Sequence, residues 1–281
     1  MSTIQELLQK GRALLKDFPQ CALEARILLE KASNLPEETV YARPERELSR
    51  RQERQFYKLL SRRRQGFPLA YLTGEKEFWS IPFRVSTGVF IPRPETELVV
   101  EKVLELSSRG EETIVDIGTG CGNIALSLAR ELPQAQIMAT DTSQKALKVA
   151  RVNAELQNVS RVQFVRGSLF SPLKKLDFKQ KCDFIVSNPP YVSESEWAEL
   201  AQEIKSHEPQ RAVVAGVTGL EFIQKLIHDA PPFLKSGGYL LVEIGEGQEE
   251  SVITLFDSGW KNVESFDDLA HIPRLILFQK K

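Results

Sequence analysis

Apolar residues recur at helical spacing along the first 75 positions of the chain. The members of this pattern are Ile4, Leu7, Leu8, Leu14, Leu15, Leu23, Ile27, Leu28, Phe56, Leu59 and Leu60. Residues three or four positions apart share one face of a helix, so the pattern predicts amphipathic helices around a small core. Pro19, Pro36 and Pro44 interrupt the pattern and indicate about four helices joined by short turns. Residues 1–75 are therefore expected to form a helical domain.

The pattern changes between residues 76 and 94, where aromatic and β-branched residues are mixed with turn formers. These residues are Phe78, Trp79, Ile81, Phe83, Val85, Thr87, Val89, Phe90 and Ile91. Such a stretch predicts a β-hairpin, and we expect residues 76–94 to connect two domains. Pro92 and Pro94 hold Arg93 in an extended conformation, and the acids that follow favour a helix start. The second domain is expected to occupy residues 95–281.

Short apolar runs alternate with amphipathic segments from residue 113 onward. The apolar runs are 114–117, 137–140, 162–165 and 184–186, and the amphipathic segments are 124–132 and 146–156. This alternation is typical of βαβ units and predicts an α/β domain with a parallel, Rossmann-like sheet. Residues 238–245 predict a further buried strand, and residues 263–266 and 275–278 predict a closing antiparallel pair.

The composition fits a folded protein of two domains. The chain has 281 residues, of which 42% are apolar and 27% are charged, values that exclude wholesale disorder. Its first residues lack the continuous apolar stretch of a signal peptide or membrane span, so we expect a cytoplasmic protein that does not enter a membrane. Three separated cysteines and three scattered histidines have the spacing of neither a disulfide framework nor a metal site.

Basic residues are concentrated in one segment of an otherwise balanced chain. The formal net charge is -1, which gives the whole molecule no general attraction for nucleic acid. Between Arg43 and Arg64, however, nine basic residues face only three acidic ones. This segment is either a solvated helix face or a weak contact surface for RNA or an RNA-associated partner.

A glycine-rich loop follows the first strand of the predicted sheet. Gly118, Thr119, Gly120, Cys121 and Gly122 come directly after an apolar run and before a helix. Glycines at this turn let the backbone approach a ligand, and the N–H groups of the helix start favour an anionic group such as the carboxylate of S-adenosylmethionine. The GxGxG spacing differs from the dinucleotide fingerprint GxGxxG. We predict that these five residues bind S-adenosylmethionine, with an NAD site or a simple tight turn as alternatives.

Further candidates for cofactor binding lie at the ends of neighbouring strands. Asp141 follows the glycines by about 20 residues, where a carboxylate can accept hydrogen bonds from both ribose hydroxyls. Asp116 either contacts the amino group of the cofactor or caps the glycine loop. Leu169 and Phe170 either cover an adenine face or belong to the core.

The tetrad Asn188-Pro189-Pro190-Tyr191 follows the fourth strand of the predicted sheet. Ligands of open α/β sheets bind at this end of the strands, so the tetrad is expected to face the same crevice as the glycine loop. The Asn188 side-chain oxygen and the Pro189 carbonyl can accept two N–H groups of a planar amide or amine, while Tyr191 offers a flat stacking face. This arrangement predicts methylation of a planar nitrogen, with Asn188 also close to the cofactor.

Together these motifs resemble the protein-(glutamine-N5) methyltransferases that modify class I peptide chain release factors. The similarity covers nearly the whole chain. Its motifs are residues 91–97, Asp116 to Gly122, Asp141, the tetrad, Glu208-Pro209 and Gly219-Leu220. The tetrad alone also occurs in DNA-adenine and RNA-guanine methylases, whereas the proline-rich heptapeptide at residues 91–97 is much more selective.

This resemblance implies a class I methyltransferase sheet of seven strands that closes with an antiparallel pair. It implies transfer of a methyl group from S-adenosylmethionine to the glutamine side-chain nitrogen of a Gly-Gly-Gln loop, leaving S-adenosylhomocysteine. It also adds Arg93 to the acceptor-binding residues Asn188, Pro189, Pro190 and Tyr191, and assigns residues 1–75 to substrate recognition. Catalysis would serve translation termination, without a metal, and a monomer is the default expectation.

Two other functions remain open from the sequence. The first is methylation of an exocyclic amine on an rRNA or DNA base, which the basic segment from Arg43 to Arg64 favours. Residues 192–281 leave little room for a base-reading domain, which favours the protein acceptor. The second is a binding module without catalysis, against which the intact tetrad stands.

Overall fold

The computed structural model describes residues 2–281, and these divide into two compact units. The first unit runs to Glu75 and also contains Ala201–His207, and the second contains the remainder from Lys76. The sequence predicts a division into residues 1–75, 76–94 and 95–281. It does not predict that Ala201–His207 belongs to the helical unit. No helix within residues 2–281 has the length and apolar character needed to cross a membrane.

The first unit is helical, and residues 2–74 contain five helices, one more than the prolines indicate. They are α1 (Ile4–Leu14), α2 (Cys21–Ser33), α3 (Glu37–Ala42), α4 (Arg50–Arg64) and α5 (Leu69–Thr73). Thr3 and Ser49 begin α1 and α4 with reciprocal capping boxes, which satisfy N–H groups of the first turn. Leu7, Leu28 and Phe56 are fully buried where the apolar helix faces meet.

A buried arginine explains why Ala201–His207 belongs to the first unit. Arg63 donates through Nε and Nη2 to the Glu24 carboxylate at 2.7 and 3.0 Å, and through Nη1 to Glu203 at 2.7 Å. His207 stacks on Phe67 with the ring centroids 4.0 Å apart. The fork of a guanidinium can bond two carboxylates at once, so one side chain ties two distant segments together. Neither partner is close to Arg63 in sequence, which leaves this contact without a local sequence signal.

The second unit contains the strands of the sheet and of two small ribbons, apart from Glu75 at the start of the first strand. The strands are β1 (Glu75–Phe78), β2 (Ile81–Arg84), β3 (Thr113–Ile117), β4 (Gln136–Asp141), β5 (Val162–Arg166), β6 (Cys182–Ser187), β7 (Val192–Ser193), β8 (Val214–Gly216), β9 (Leu234–Glu243), β10 (Trp260–Asp267) and β11 (Pro273–Lys280). β1 and β2 pair as the predicted hairpin. Its two turn residues, Trp79 and Ser80, both have φ of 54°, the twist that suits a two-residue hairpin loop.

Within residues 2–281, seven strands form one sheet in the order β10-β11-β9-β6-β3-β4-β5. β11 runs antiparallel to both of its neighbours, and the pairs within β9-β6-β3-β4-β5 are parallel. The predicted Rossmann-like sheet with a closing antiparallel pair is therefore confirmed. The remaining helices are α6 (Glu97–Leu106), α7 (Asn123–Glu131), α8 (Gln144–Leu156), α9 (Ser171–Lys175), α10 (Glu194–Glu199), α11 (Gln202–His207, in the first unit), α12 (Glu221–Asp229) and α13 (Glu249–Ile253).

The position of β3 determines where a ligand can bind. From β3 the chain goes to β4 and β5 on one side of the sheet, and later to β6 and β9 on the other. A crevice forms at the carboxyl ends of strands where the winding reverses. The glycine loop, Leu169 and Asn188 follow β3, β5 and β6, respectively, and Asp141 is the last residue of β4.

Candidate active site

A cavity of about 240 Å³ lies at the carboxyl ends of the central strands of the second unit. Predicted site residues supply much of its wall: Gly118, Thr119, Gly120, Cys121, Asp141, Leu169, Asn188, Pro189 and Pro190. Four other predicted residues, Asp116, Gly122, Tyr191 and Arg93, are not part of this wall. The structure thus brings the glycine loop and the tetrad to one cavity, as their positions after parallel strands predict.

The glycine loop turns sharply and leaves backbone facing open space. Gly118, Gly120 and Gly122 have φ of 79°, 57° and 88°, values that a residue with a Cβ adopts at a cost. A Cβ on Gly120 would meet no atom within 4 Å, whereas a Cβ on Gly122 would lie 3.1 Å from Leu126 Cδ1. Gly120 therefore presents bare backbone, and Gly122 permits close packing of the following helix.

Asp141 holds the glycine loop in place from the end of β4. Its Oδ2 accepts the Gly120 N–H at 2.9 Å, and its Oδ1 accepts the Ser143 N–H at 2.7 Å. Burial raises the pKa of this carboxyl, while these backbone hydrogen bonds act in the opposite direction. Each carboxylate oxygen has a second lone pair, so acceptor capacity remains toward the cavity that Asp141 lines.

Asp116 supports the glycine loop through a buried hydrogen bond. It is fully buried at the end of β3, and its Oδ2 accepts a hydrogen bond from the Thr119 hydroxyl at 2.6 Å. Burial raises the pKa of the Asp116 carboxyl to about 7. Because Asp116 is absent from the cavity wall, its position favours the loop-capping alternative over direct contact with a ligand.

Leu169 and Phe170 have separate environments. Leu169 lines the cavity with a left-handed backbone, φ 46°, which turns it away from the direction of the preceding strand. Phe170 is buried and stacks on Phe233 with the ring centroids 5.1 Å apart. Phe170 therefore belongs to the core, and of the two only Leu169 faces the cavity.

Cys121 contributes its backbone to the site rather than a reactive thiol. The residue is 1% exposed, and burial raises the pKa of its thiol to about 12. A thiol with such a pKa stays protonated near neutral pH and is a poor nucleophile. Its carbonyl accepts a hydrogen bond from Asn153 Nδ2 at 2.8 Å, which anchors this side of the loop to α8.

The tetrad is held against the glycine loop and against the start of α6. The Ser187 hydroxyl donates to the Ile117 carbonyl at 2.7 Å, which ties the ends of β6 and β3 together. The Asn188 Nδ2 group donates to Thr96 Oγ1 at 2.9 Å. The nitrogen of the Asn188 amide is therefore already bonded to Thr96. Its oxygen, Oδ1, remains available to accept an N–H group of a ligand in the cavity.

Tyr191 lies behind the cavity wall, over a buried acid. Its hydroxyl donates to Glu243 Oε1 over 3.4 Å, and its carbonyl accepts from Gln248 Nε2 at 2.8 Å. Burial and the adjacent Glu243 carboxylate raise the pKa of the Tyr191 hydroxyl. The phenol therefore remains protonated and acts as a hydrogen-bond donor.

Arg93 is paired with another residue of the second unit. Its Nη2 bonds Glu208 Oε1, and its guanidinium carbon lies 4.8 Å from the centre of the Phe90 ring. Glu208 Oε2 also accepts the Ile91 N–H at 3.3 Å. This pair joins the segment around Pro92, which lines the cavity, to the segment that begins at Glu208.

The sequence matches known proteins along nearly its whole length. A release factor glutamine methyltransferase of Vibrio cholerae is 40% identical over 278 residues, which are 99% of this chain and 94% of that protein. The chain belongs to the release factor glutamine methyltransferase family. A second member, from Coxiella burnetii, is 38% identical over 92% of this chain and 91% of its own length. The resemblance noted from the motifs is therefore confirmed.

Two domain families match separate parts of this chain. The PrmC N-terminal domain matches residues 6–74, and the methyltransferase small domain matches residues 94–217. Among solved structures, the hMettl16 catalytic domain superposes with a TM-score of 0.56 at 18% identity, covering 78% of this chain and 81% of that one. At this identity the superposition shows a shared fold.

Several cavity residues of this family member carry no clear signal in the sequence. Thr96, Phe90, Arg211 and Phe222 line the cavity beside the predicted residues. Arg211 Nη2 donates to Ser143 Oγ at 2.8 Å. Thr96 lies inside the selective heptapeptide, which is the one signal that points to it. The others reach the site through tertiary packing alone.

Proposed function

We propose that this protein transfers a methyl group from S-adenosylmethionine to the side-chain amide nitrogen, N5, of the glutamine in the Gly-Gly-Gln loop of class I peptide chain release factors. One observation carries the proposal: the glycine loop, Asp141 and the Asn188 tetrad line a single cavity. Membership of the release factor glutamine methyltransferase family supports the choice of acceptor.

The cavity has the features that S-adenosylmethionine requires. Bare backbone at Gly120 and the start of α7 suit a carboxylate, the spare lone pairs of Asp141 suit ribose hydroxyls, and Leu169 offers an apolar surface to adenine. When bound, this cofactor supplies an electrophilic methyl group and leaves as S-adenosylhomocysteine. The proposed residues are Gly118 to Gly122, Asp141, Leu169 and Asn188, with Asp116 ordering the loop.

The tetrad provides the acceptor half of the reaction. An amide nitrogen is a weak nucleophile because its lone pair is delocalised into the carbonyl group. Asn188 Oδ1 and the Pro189 carbonyl accept its two N–H groups and leave the lone pair directed at the methyl group. Pro190 fixes the backbone, and Tyr191, behind the cavity wall, holds the tetrad in place through its contacts with Glu243 and Gln248. Catalysis is therefore positioning and electrostatics, and the acidic product nitrogen loses its proton without a strong base.

The first unit is assigned to recognition of the release factor. The match of residues 6–74 to the PrmC N-terminal domain supports this role. With a release factor as substrate, we further propose that the protein acts in the cytoplasm, in translation termination, without a membrane and without a metal. We take a monomer as the working unit, with Arg93 acting near the acceptor.

A weak RNA contact through the segment from Arg43 to Arg64 is a secondary proposal. Arg50, Arg54 and Lys58 are exposed and follow one another at i, i+4 spacing on α4. Cations spaced along one helix face suit a phosphate backbone, whose binding weakens steeply with salt. This surface is also the one feature that favours methylation of an rRNA base.

Methyl transfer from labelled S-adenosylmethionine to purified release factor tests the proposal. We expect label on the wild-type release factor and none on a Gly-Gly-Ala variant of its loop. The Asn188→Ala enzyme should bind cofactor but transfer no label. Free rRNA and DNA serve as competing acceptors, and label on either of them in place of the release factor would overturn the proposal. Cofactor binding without transfer to any acceptor would indicate a binding module.

A further inference from the structure

Ser143 lies in the cavity wall two residues after Asp141, and its hydroxyl oxygen receives two hydrogen bonds. The Ala146 N–H donates to Ser143 Oγ at 3.2 Å, which makes Ser143 the N-cap of α8. Arg211 Nη2 donates to the same oxygen at 2.8 Å. Ser143 is 7% exposed, so both bonds are largely shielded from water.

These two bonds determine what the Ser143 hydroxyl can still do. A hydroxyl oxygen has two lone pairs and one proton. The Ala146 N–H and the Arg211 guanidinium use both lone pairs. Within residues 2–281, no acceptor is hydrogen-bonded to the remaining proton. A further hydrogen bond of this side chain is therefore one in which Ser143 donates.

The Ser143 hydroxyl is a neighbour of the carboxylate proposed for the ribose. The Ser143 N–H donates to Asp141 Oδ1 at 2.7 Å, and both residues line the cavity. An ionised carboxylate only accepts, so a ribose hydroxyl that bonds Asp141 gives its proton to Asp141. The oxygen of that ribose hydroxyl keeps two lone pairs, which require a donor. Ser143 is a donor beside Asp141.

We propose that Ser143 is a further cofactor-binding residue, which donates its hydroxyl proton to a ribose oxygen of S-adenosylmethionine, and that Arg211 holds the hydroxyl in this role. The inference rests on the proposed function, because it takes S-adenosylmethionine as the occupant of the cavity. Asp141 and Ser143 then form a complementary pair, in which one residue accepts from the ribose and the other donates to it.

Arg211 connects this donor to another part of the cavity wall. It lies in the segment that begins at Glu208, which Arg93 holds on the other side. Without the guanidinium, one lone pair of Ser143 loses its partner, and the hydroxyl is free to turn. Burial raises the pKa of Asp141, and the positive charge of Arg211 acts against this rise. Arg211 is therefore a positioning residue for the ribose end of the cavity.

A cycle between the Ser143 hydroxyl and the ribose hydroxyls tests the contact directly. Calorimetry on the wild type and on Ser143→Ala gives Kd for S-adenosylhomocysteine and for its 2′-deoxy and 3′-deoxy analogues. Ser143→Ala should raise Kd for S-adenosylhomocysteine about 3- to 10-fold, the range for loss of a neutral hydrogen bond. For one of the two analogues the same substitution should change Kd little, because the partner oxygen is already missing.

Two variants separate this contact from the capping role of Ser143. Ser143→Thr keeps both the hydroxyl and the cap, so Kd should stay within about twofold of the wild type. Ser49→Ala removes the N-cap of α4 in the first unit and is the matched control. It should lower the melting temperature, as Ser143→Ala does, and leave Kd for S-adenosylhomocysteine unchanged.

Arg211→Met tests the positioning role of the guanidinium. This variant removes the donor to Ser143 and keeps a long side chain. It should raise Kd for S-adenosylhomocysteine by a larger factor in the wild type than in the Ser143→Ala background, because part of its effect passes through Ser143. Equal factors in the two backgrounds would overturn the positioning role.

The outcomes distinguish this inference from the proposed function. A wild type that does not bind S-adenosylhomocysteine would overturn the cofactor assignment on which both rest. Binding with the expected coupling, but without methyl transfer to a release factor, would overturn the function alone. Where the wild type binds, an equal loss of affinity for S-adenosylhomocysteine and both deoxy analogues in Ser143→Ala would overturn the Ser143 contact. A loss of the same size in Ser49→Ala would overturn it as well.

Discussion

The side-chain nitrogen of Asn188 donates to the hydroxyl of Thr96 across 2.9 Å, although 92 positions separate the two residues. The Asn188 amide is therefore held by a residue at the start of α6, the helix that precedes the first strand of the seven-stranded sheet. This bond connects two motifs, the proline-rich heptapeptide and the tetrad, that are far apart in the sequence. It joins the two motifs at the cavity that both of them line.

Asn188→Asp is expected to abolish most activity while keeping the fold. Aspartate has nearly the same shape, but a carboxylate cannot donate a hydrogen bond to Thr96 Oγ1 as the Asn188 amide does. We expect kcat to fall by at least about 100-fold, as for loss of a preorganised transition-state contact. Circular dichroism and cofactor titration should remain close to wild type. Near-normal turnover by this variant would show that the Asn188 amide does not position the acceptor.

Two glycine substitutions should separate cofactor binding from stability. Gly120→Ala would place a methyl group in open space at φ 57°, so it should weaken cofactor binding and cost about 1–2 kcal/mol of backbone strain. Gly122→Ala carries similar strain and also brings Cβ to 3.1 Å from Leu126 and 3.2 Å from Ala150. It should therefore lower the melting temperature more than Gly120→Ala does. Calorimetry and cofactor titration on both variants measure the two effects, and equal melting temperatures would contradict this packing argument.

Asp116 should make the folded protein less stable as the pH rises. Its pKa is raised from 3.8 to about 7 by burial in the folded state. As the pH rises from about 4 to about 7, the unfolded chain releases this proton and the folded protein retains it, so the free energy of unfolding decreases.

Asp116→Asn removes this titration and keeps a side-chain oxygen that can accept the hydrogen bond from the Thr119 hydroxyl. The free energy of unfolding falls as the pH rises from about 5 to about 8. This fall should be on the order of 2 kcal/mol smaller in the variant than in the wild type, given about 1.4 kcal/mol per pKa unit. Glu243 has a raised pKa in both proteins and does not affect the difference. Urea denaturation at the two pH values measures it. Parallel losses in the two proteins would mean that Asp116 is ionised in the folded state.

Arg93 and Glu208 are expected to act as one unit at the edge of the cavity. Removing either partner releases the Phe90–Pro92 segment, and Arg93→Ala also leaves the buried Glu208 carboxylate without its main donor, at a cost of about 1–3 kcal/mol. Both Arg93→Ala and Glu208→Gln should raise KM for the release factor and leave Kd for the cofactor unchanged. Steady-state kinetics of the two single variants and the double variant measure the coupling. A much larger defect in Arg93→Ala, additive with Glu208→Gln, would indicate that Arg93 contacts the acceptor directly.

Much of the sheet is predictable from the sequence because buried parallel strands are short apolar runs that stand out from their surroundings. The runs at 114–117, 137–140 and 162–165 each fall within an observed strand. Position at a strand end then predicts that the glycine loop and the tetrad share a crevice. The chemistry proposed for the tetrad rests on residue types alone, whereas the proposed protein acceptor rests on the resemblance of the whole chain.

The rest depends on contacts that local patterns do not encode. Glu243 ends an apolar strand, and only the pairing of β9 with β6 and β11 places its carboxylate under Tyr191. Adjacent residues such as Leu169 and Phe170 cannot be assigned to cavity or core until the backbone turn between them is known. The attachment of Ala201–His207 to the first unit depends on Arg63, whose partners lie far away in sequence.

The most direct test of the proposed function is to locate the transferred methyl group. Tandem mass spectrometry of a release factor incubated with the enzyme and S-adenosylmethionine identifies both the residue and the modified atom. We expect one added methyl group on the side-chain nitrogen of the glutamine in the Gly-Gly-Gln loop. A methyl group on any other residue, or an unmodified glutamine beside methylated RNA, would contradict the assignment of this site.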